Sequence, residues 1–260
     1  MAFCAAATTA GGVAQPAAAA APTTDTAPAA AAAPPAVVAG SDPGLAPFSA
    51  HYEAAWKSIS IGSSDLRLQR DAEPNRYVYT WTISAHGIFR LLYAKPLTQV
   101  SWLSLEGGHV RPVKYHGDDG SSEVNLDFDW ASGRLTGTSE KKPIDLPLAA
   151  GTQDVNSIQI AVMQGLMNDN LARKFLIVDK DEIKEFLYAR EGSARIRTPL
   201  GELDTVIVSS QRPGNDRILR MWFAPGLGFV PIQAERTRGG KLEFAMRIKT
   251  LQRQAADVKR

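Results

Sequence analysis

The sequence predicts a mainly β protein, built as a strongly curved antiparallel sheet or incomplete β-barrel of about a dozen strands with one amphipathic helix. The clearest evidence is segment 124–130, in which apolar side chains alternate without a break with Asn125, Asp127 and Asp129. A period of two is expected of a strand that buries one face and leaves the other in water. The same alternation recurs along most of the chain from residue 45 onward, between turn sequences. So many strands cannot form a flat sheet, and curvature is therefore expected.

The first half of the domain is predicted to consist of consecutive strands. Strand 76–84 is the most distinctive, because aromatic side chains occupy one face and β-branched or small side chains the other. The sequence Asp118-Asp119-Gly120 predicts a hairpin turn, since an Asp-Gly pair readily adopts positive φ. The predicted strands of this half span 51–56, 59–68, 76–84, 97–105, 109–115, 124–130 and 134–140.

In the middle of the domain the hydrophobic period changes from that of a strand to that of a helix. Apolar residues recur at helical spacing from Val155 to Met167, and either Thr152 or Asp154 is suited to cap the N-terminus. This pattern predicts one amphipathic helix, 153–170. Strands are predicted to resume after it at 174–178, 184–190, 193–197, 203–209, 217–224, 229–237 and 241–251.

Residues 1–44 are expected to remain outside the fold as a disordered segment. They are dominated by Ala, Pro, Thr and Gly, carry charge only at Asp25 and Asp42, and have Phe3 as their single aromatic residue. Such a segment buries too little apolar surface to offset the entropy of ordering it. We interpret it as the remnant of a signal peptide plus a linker, with a disordered arm on a cytoplasmic protein as the alternative. Residues 45–260 are expected to form a single β-rich domain.

Composition and charge exclude several classes of protein. The net charge is only +2 and basic residues are interspersed with acidic ones, whereas nucleic-acid-binding domains concentrate basic residues on one face. No run of about 18 apolar residues occurs, so no transmembrane segment is predicted. The single cysteine, Cys4, lies outside the predicted domain, which excludes an internal disulfide and a cysteine nucleophile. The four histidines lack the spacing of metal ligands, and no metal or other cofactor is expected.

Short motifs are spread along the domain: Phe48-Ser49-Ala50-His51-Tyr52 with Trp56 and Ile61-Gly62, Arg111-Pro112-Val113-Lys114-Tyr115, Phe128-Asp129-Trp130, Gln153-Asp154 with Ser157, and Met221-Trp222-Phe223-Ala224 followed by Val230-Pro231-Ile232. In this order they resemble the bacterial family called domain of unknown function 3108, over nearly all of 48–251. Phe229-Val230-Pro231 stands where that family has a Leu-Pro pair, a mild departure. The resemblance implies an exported, envelope-associated β protein without established activity. The architecture is also similar to that of periplasmic lipoprotein carriers, by analogy of fold alone.

Together, the fold and the resemblance predict a non-catalytic periplasmic protein of the cell envelope. We expect it to bind a lipid or another apolar or amphiphilic ligand, or an envelope protein partner, because aromatic side chains on the concave side of a curved sheet can hold an apolar guest. Asp154 is singled out as a polar residue with either a capping or a functional role. The candidate ligand-binding residues are Tyr77, Tyr79, Trp81, Trp102 and Trp222.

An alternative interpretation is a hydrolase that acts on a cell-wall polymer. Its catalytic groups would be Asp127 and Asp129, which share one face of a strand about 7 Å apart, or His116 beside the carboxylates of Asp118 and Asp119. Asp127 and Asp129 are explained more simply as the solvent-facing residues of a half-buried strand. Asp118 and Asp119 are explained more simply as residues of a hairpin turn. A third interpretation is a scaffold that docks a protein partner on an exposed strand edge.

Overall fold

The computed structural model of the protein describes residues 45–91 and 95–253. These residues form fifteen β-strands, one α-helix, α1 (Ser157–Met167), and two short 3-10 segments, Gly87–Leu91 and Pro225–Leu227. In chain order the strands are β1 (Phe48–Trp56), β2 (Ile59–Arg70), β3 (Arg76–Ala85), β4 (Leu97–Glu106), β5 (His109–Asp118), β6 (Glu123–Asp129), β7 (Arg134–Ser139), β8 (Lys142–Pro147), β9 (Gln153–Asp154), β10 (Lys174–Asp179), β11 (Glu182–Thr198), β12 (Gly201–Gln211), β13 (Arg217–Ala224), β14 (Val230–Arg238) and β15 (Lys241–Arg253).

All of these strands belong to one sheet, in which neighbours in sequence are nearly always neighbours in space. The order runs from β8 back to β1, continues with β15, and then descends to β9. Every pairing is antiparallel except the short one between β9 and β10. The sheet is curved but not closed, since β8 and β9 remain as its two edges. The predicted fold class is therefore confirmed, while the predicted disordered segment 1–44 lies outside the described residues.

The two ends of the sheet approach each other through side chains rather than through backbone pairing. Gln153 in β9 donates a hydrogen bond from Nε2 to the carbonyl oxygen of Val110 in β5, at 2.9 Å. Val178 in β10 packs into a small apolar cluster with Leu126 of β6 and Leu135 of β7. These contacts hold the sheet in a deep curve.

Helix α1 lies inside this curve and packs into the main hydrophobic core. Ile160 and Val162 are fully buried, and no residue of the helix is exposed. The sequence pattern predicted one apolar stripe, but the helix is buried on all sides because the sheet wraps around it. The same core contains fully buried strand residues, among them Tyr52, Tyr79, Leu103, Phe223 and Ile232.

The helix is shorter than the predicted range 153–170. Gln153 and Asp154 pair with β10 as strand β9 instead, and Asn156 is the N-cap residue. At the other end, Asn168 is the C-cap, inside the predicted limit.

Three differences concern the strands. The short strands β8 and β9 were not predicted, since β8 contains Pro143 and Pro147, which are unfavourable for strands, and β9 is only two residues long. The predicted strands 184–190 and 193–197 form one long strand, β11. A bulge between Arg190 and Gly192 shifts its register and so interrupts the alternation on which the prediction depended.

Candidate functional site

The concave surface of the sheet extends beyond the part that packs in the main core. On β3, Tyr77 and Tyr79 are buried, whereas Trp81, Ile83 and Ala85 are only half-buried. Alternation along the strand places all five side chains on the same side of the sheet. Burial therefore decreases along β3 towards its C-terminal end.

A cavity of about 720 Å³ lies at this less buried end of the sheet. Its volume is typical of sites that hold small molecules. Lys95 and the β5–β6 turn at Asp119–Ser121 contribute its polar wall. Its apolar wall is formed by Trp56 of β1, Ile61 of β2, Ile83 and Ala85 of β3, Phe89 of the first 3-10 segment and Leu97 of β4.

Two local backbone features shape this wall. Lys57 and Ser58 both have positive φ, at 45° and 69°, as a two-residue hairpin turn between β1 and β2 requires. Ile61 is the extra residue of a bulge in β2, and its carbonyl oxygen accepts a hydrogen bond from the backbone N–H of His86 at 2.9 Å. This bond fixes the start of the 3-10 segment beside β2.

The predicted aromatic residues of β3 lie next to the cavity rather than in its wall. Tyr77 and Tyr79 belong to the main core. Trp81 stands at the boundary, two residues before Ile83 on the same face, and its Nε1 donates a hydrogen bond to Ser64 Oγ at 2.6 Å.

The other two predicted aromatic residues point to the opposite side of their strands. Trp102 alternates with buried Leu103, and the Nζ of Lys114 lies 5.9 Å from the centre of its ring. Trp222 also alternates with buried neighbours, but it is half-buried and packs against residues of the main core. The structure thus separates the five candidates onto two sides of the sheet.

Sequence reasoning did not single out the residues that form the apolar wall of the cavity. Trp56 and Ile61 occurred only among the motifs of the family resemblance. A usable signal lay in Ile88, Phe89 and Leu91, which form an apolar stretch between two predicted strands, where loops are normally polar.

A second notable feature is a buried polar cluster around Asp154. The fully buried carboxylate accepts hydrogen bonds at Oδ1 from Ser101 Oγ (2.7 Å) and from the backbone N–H groups of Asn156 (2.8 Å) and Ser157 (2.7 Å). Asn156 Nδ2 in turn donates to the carbonyl oxygen of Tyr79 at 2.9 Å. Asp154 therefore binds the N-terminus of α1 from two residues before the cap, and the cluster joins the helix to β3 and β4.

The pKa of the Asp154 carboxyl is raised, because burial disfavours its charged form. The hydrogen bonds from Ser157, Ser101 and Asn156 lower this pKa, but by less than burial raises it. The second carboxylate oxygen, Oδ2, has no hydrogen-bond partner among the described residues. The folded state therefore carries a desolvation cost whenever Asp154 is ionised.

This raised pKa predicts how stability depends on pH. A carboxyl whose pKa is higher in the folded than in the unfolded state binds more protons when folded, so its contribution favours folding increasingly as the pH falls from the raised pKa towards about 4. Relative to Asp154→Asn, which does not titrate, the unmodified protein should gain stability across that window. Urea unfolding of both proteins from about pH 7 to about pH 4 measures the difference. If the unmodified protein instead loses stability relative to Asp154→Asn on acidification, the hydrogen bonds to Asp154 outweigh the effect of burial on its pKa.

The carboxylates proposed for a hydrolase lie on the solvent-facing side of β6. Asp127 and Asp129 are exposed, and Asp129 Oδ1 accepts hydrogen bonds from the backbone N–H groups of Ala131 and Ser132, both at 3.0 Å. Hydrogen bonds from Ser132 lower the pKa of Asp129 below its usual range. Asp129 therefore stabilises the turn between β6 and β7.

The cluster around His116 is similarly engaged in local structure. Asp118 Oδ1 accepts the backbone N–H of Gly120 at 2.6 Å, which stabilises the β5–β6 turn. The Nδ1 of His116 lies 2.8 Å from Oδ1 of Asn125 on the neighbouring strand. This geometry adds no support to the hydrolase interpretation, which stays a prediction.

Among residues 45–91 and 95–253, no group of three or more His, Cys, Asp or Glu side chains is arranged to hold a metal ion. The helix in this part of the chain is not long and apolar enough to cross a membrane.

Comparison with known proteins places the chain in a family. No curated protein sequence matches it significantly. A structure described as an exported protein with a YmcC-like fold from Bacteroides fragilis NCTC 9343 has 10% identity and a TM-score of 0.37, covering 81% of this chain and 97% of that one. A structure described as a lipoprotein from Parabacteroides distasonis ATCC 8503 has 8% identity, a TM-score of 0.37 and the same coverage of 81% and 97%. The profile described as protein of unknown function (DUF3108) matches residues 51–244, well over half of the chain, so the protein belongs to the DUF3108 family.

Proposed function

We propose that the protein binds an apolar or amphiphilic molecule, such as the acyl chain of a lipid, in the cavity at the end of β1–β4. The observation that supports this proposal is a cavity of about 720 Å³, which is bounded by six apolar side chains and is not filled by the side chains of the main core. Apolar surface in contact with water costs about 25 cal/mol per Å². A guest that covers the wall removes this cost, and burial of the guest adds to the gain.

The polar wall of the cavity favours an amphiphile over a plain hydrocarbon. Lys95 contributes a cationic ammonium group, and Asp119 lies in the turn beside it. The Asp119 carboxylate is already engaged with the backbone N–H groups of Ser121 and Ser122, at 2.9 Å and 2.7 Å. Lys95 therefore remains the group that can bind an anionic headgroup while the chain occupies the apolar wall.

We place this activity in the periplasm, as a binding role without catalysis or a cofactor. The Ala- and Pro-rich composition of residues 1–44 supports this location, since such linkers commonly follow an export signal. An envelope protein that inserts an apolar side chain into the same cavity is the competing occupant.

A substitution that fills the cavity tests the proposal. Ala85→Phe adds a ring at the half-buried wall, where it displaces part of the bound chain. It should weaken binding of a fluorescent long-chain fatty acid at least about tenfold, because the affinity falls by nearly that factor when one or two methylene groups of the guest are no longer buried. Fluorescence titration of the purified full chain measures the affinity.

The matched control is Ala131→Phe, which adds the same ring at an exposed position in the β6–β7 turn. It should bind the probe as the unmodified protein does, and both variants should melt at nearly the same temperature. Equal binding by all three proteins would show that the probe does not enter the cavity. If none of the three binds, the acyl-chain proposal is wrong and a protein occupant becomes the better explanation.

A further inference from the structure

The large apolar side chains that remain exposed are concentrated at the entrance of the cavity. Trp56 and Ile59, which flank the β1–β2 turn, are 39% and 60% exposed, while Ile88 and Leu91 in the first 3-10 segment are 73% and 83% exposed. We call residues 56–59 and Gly87–Leu91 together the rim.

The two parts of the rim lie side by side. The backbone N–H of His86, just before the 3-10 segment, is bonded to Ile61 of β2, and the His86 Nε2 lies 3.2 Å from Ser63 Oγ. Trp56 from one part and Phe89 from the other line the same cavity. The rim is therefore one surface rather than two separate patches.

The geometry of the 3-10 segment directs its apolar side chains outward. A 3-10 helix has three residues per turn, so Ile88 and Leu91 lie directly above each other on one face. Phe89 points from another face into the cavity wall and is half-buried. The outward pair contributes nothing to the core, and exposed apolar groups that cluster in this way mark an interaction surface.

Basic residues surround the rim. Lys57, Arg90 and Lys95 are all exposed, and none of them forms an ion pair within the described part of the chain. The Arg236 guanidinium carbon also lies 5.8 Å from the centre of the Trp56 ring.

The carboxylates near the rim do not cancel this charge. Glu243 is paired with both Arg217 at 3.1 Å and Arg236 at 3.3 Å, which leaves that group with an excess of positive charge. Asp119 lies beside Lys95 in the polar wall of the cavity and offsets one of the positive charges, which still leaves the basic residues in excess. The rim is thus apolar at its tips and cationic around them.

We propose that the rim docks on the surface of a bilayer that contains anionic phospholipid. Side chains that combine apolar tips with Lys and Arg suit such a surface, since the tips enter the boundary between headgroups and acyl chains and the cations meet the anionic headgroups. The cavity then opens towards the membrane. In this orientation an acyl chain has an apolar path between the bilayer and the cavity, so the orientation rests on the proposed function. The docking itself rests only on the exposed residues of the rim.

Vesicle co-sedimentation of the full chain tests the docking. Binding is expected to vesicles of phosphatidylcholine mixed with phosphatidylglycerol, and weaker binding to phosphatidylcholine alone. Ile88→Ser combined with Leu91→Ser should weaken the binding at least about tenfold, because burying each such side chain is worth more than a tenfold factor. Both positions are exposed, so the melting temperature should not change. Leu187→Ser combined with Leu200→Ser, at two further exposed leucines of the described residues, is the matched control and should bind normally.

Charge reversal separates the two contributions. Arg90→Glu combined with Lys95→Glu should abolish the preference for phosphatidylglycerol. Equal sedimentation of the Ile88/Leu91 and Leu187/Leu200 variants would overturn the docking proposal. So would failure of the unmodified protein to sediment with either vesicle, even if it still binds a soluble fatty-acid probe, and the proposed function would then stand alone. If the protein binds vesicles but does not bind the soluble fatty-acid probe, the proposed function is overturned and the docking proposal stands.

Discussion

Replacing Asp154 with Ala is expected to lower the free energy of unfolding by roughly 4 kcal/mol, because it leaves three buried donors without an acceptor and each such loss costs about 1–3 kcal/mol. The donors are Ser101 Oγ and the backbone N–H groups of Asn156 and Ser157. Against a total stability of about 5–15 kcal/mol, the loss is large. Urea unfolding followed by tryptophan fluorescence measures it.

Two variants serve as controls for this prediction. Asp127→Ala removes an exposed carboxylate and should change the stability by less than about 0.5 kcal/mol. Asp154→Asn keeps the Oδ1 acceptor and should lose much less stability than Asp154→Ala. If Asp154→Ala unfolds within about 1 kcal/mol of the unmodified protein, the polar cluster does not anchor α1 to the sheet.

Phe128→Asp is expected to prevent the chain from folding. Phe128 is 5% exposed in the second apolar cluster, and its ring stacks on Trp130 with ring centres 6.2 Å apart. Removing the ring costs about 3–5 kcal/mol, and a buried carboxylate without a partner costs several more. Circular dichroism and the yield of soluble protein show the result.

Conservative changes around this position provide the comparison. Phe128→Leu should fold with a moderately reduced melting temperature, and Asp127→Asn on the solvent-facing side should have almost no effect. A Phe128→Asp protein that still unfolds cooperatively at a normal temperature would contradict the expectation. It would mean that β5–β8 unfold locally without affecting the main core.

The strands could be predicted well because their alternation is local information. Strand β3 needs only its own residues to separate Tyr77 and Tyr79 from Val78 and Thr80. The failures occurred where the pattern is weak or interrupted, as in β8 with its two prolines and at the bulge near Gly192 in β11. The depth to which α1 is buried also could not be predicted, since it depends on how far the sheet curves around it.

The cavity could be predicted only in outline. The predicted curvature indicated a concave face that can hold an apolar guest, and the strand pattern identified that face on β3. Which part stays uncovered depends on where α1 lies along β3, and hence on the hydrogen bonds between the Asp154 cluster and β3 and β4. The sequence pattern does not show this, so it pointed to Tyr79 rather than to Ile83, which lies four residues further along the same strand.

Binding of an acyl chain in the cavity can be measured by the quenching of tryptophan fluorescence by a bromine-labelled long-chain fatty acid. Of the five tryptophans, only Trp56 lines the cavity. Quenching should saturate at one molecule per protein, and Trp56→Phe should abolish most of it, while Trp102→Phe on the other side of the sheet should retain it. No saturable quenching, or quenching that is the same in the Trp56→Phe and Trp102→Phe proteins, would show that the fatty acid does not occupy the cavity.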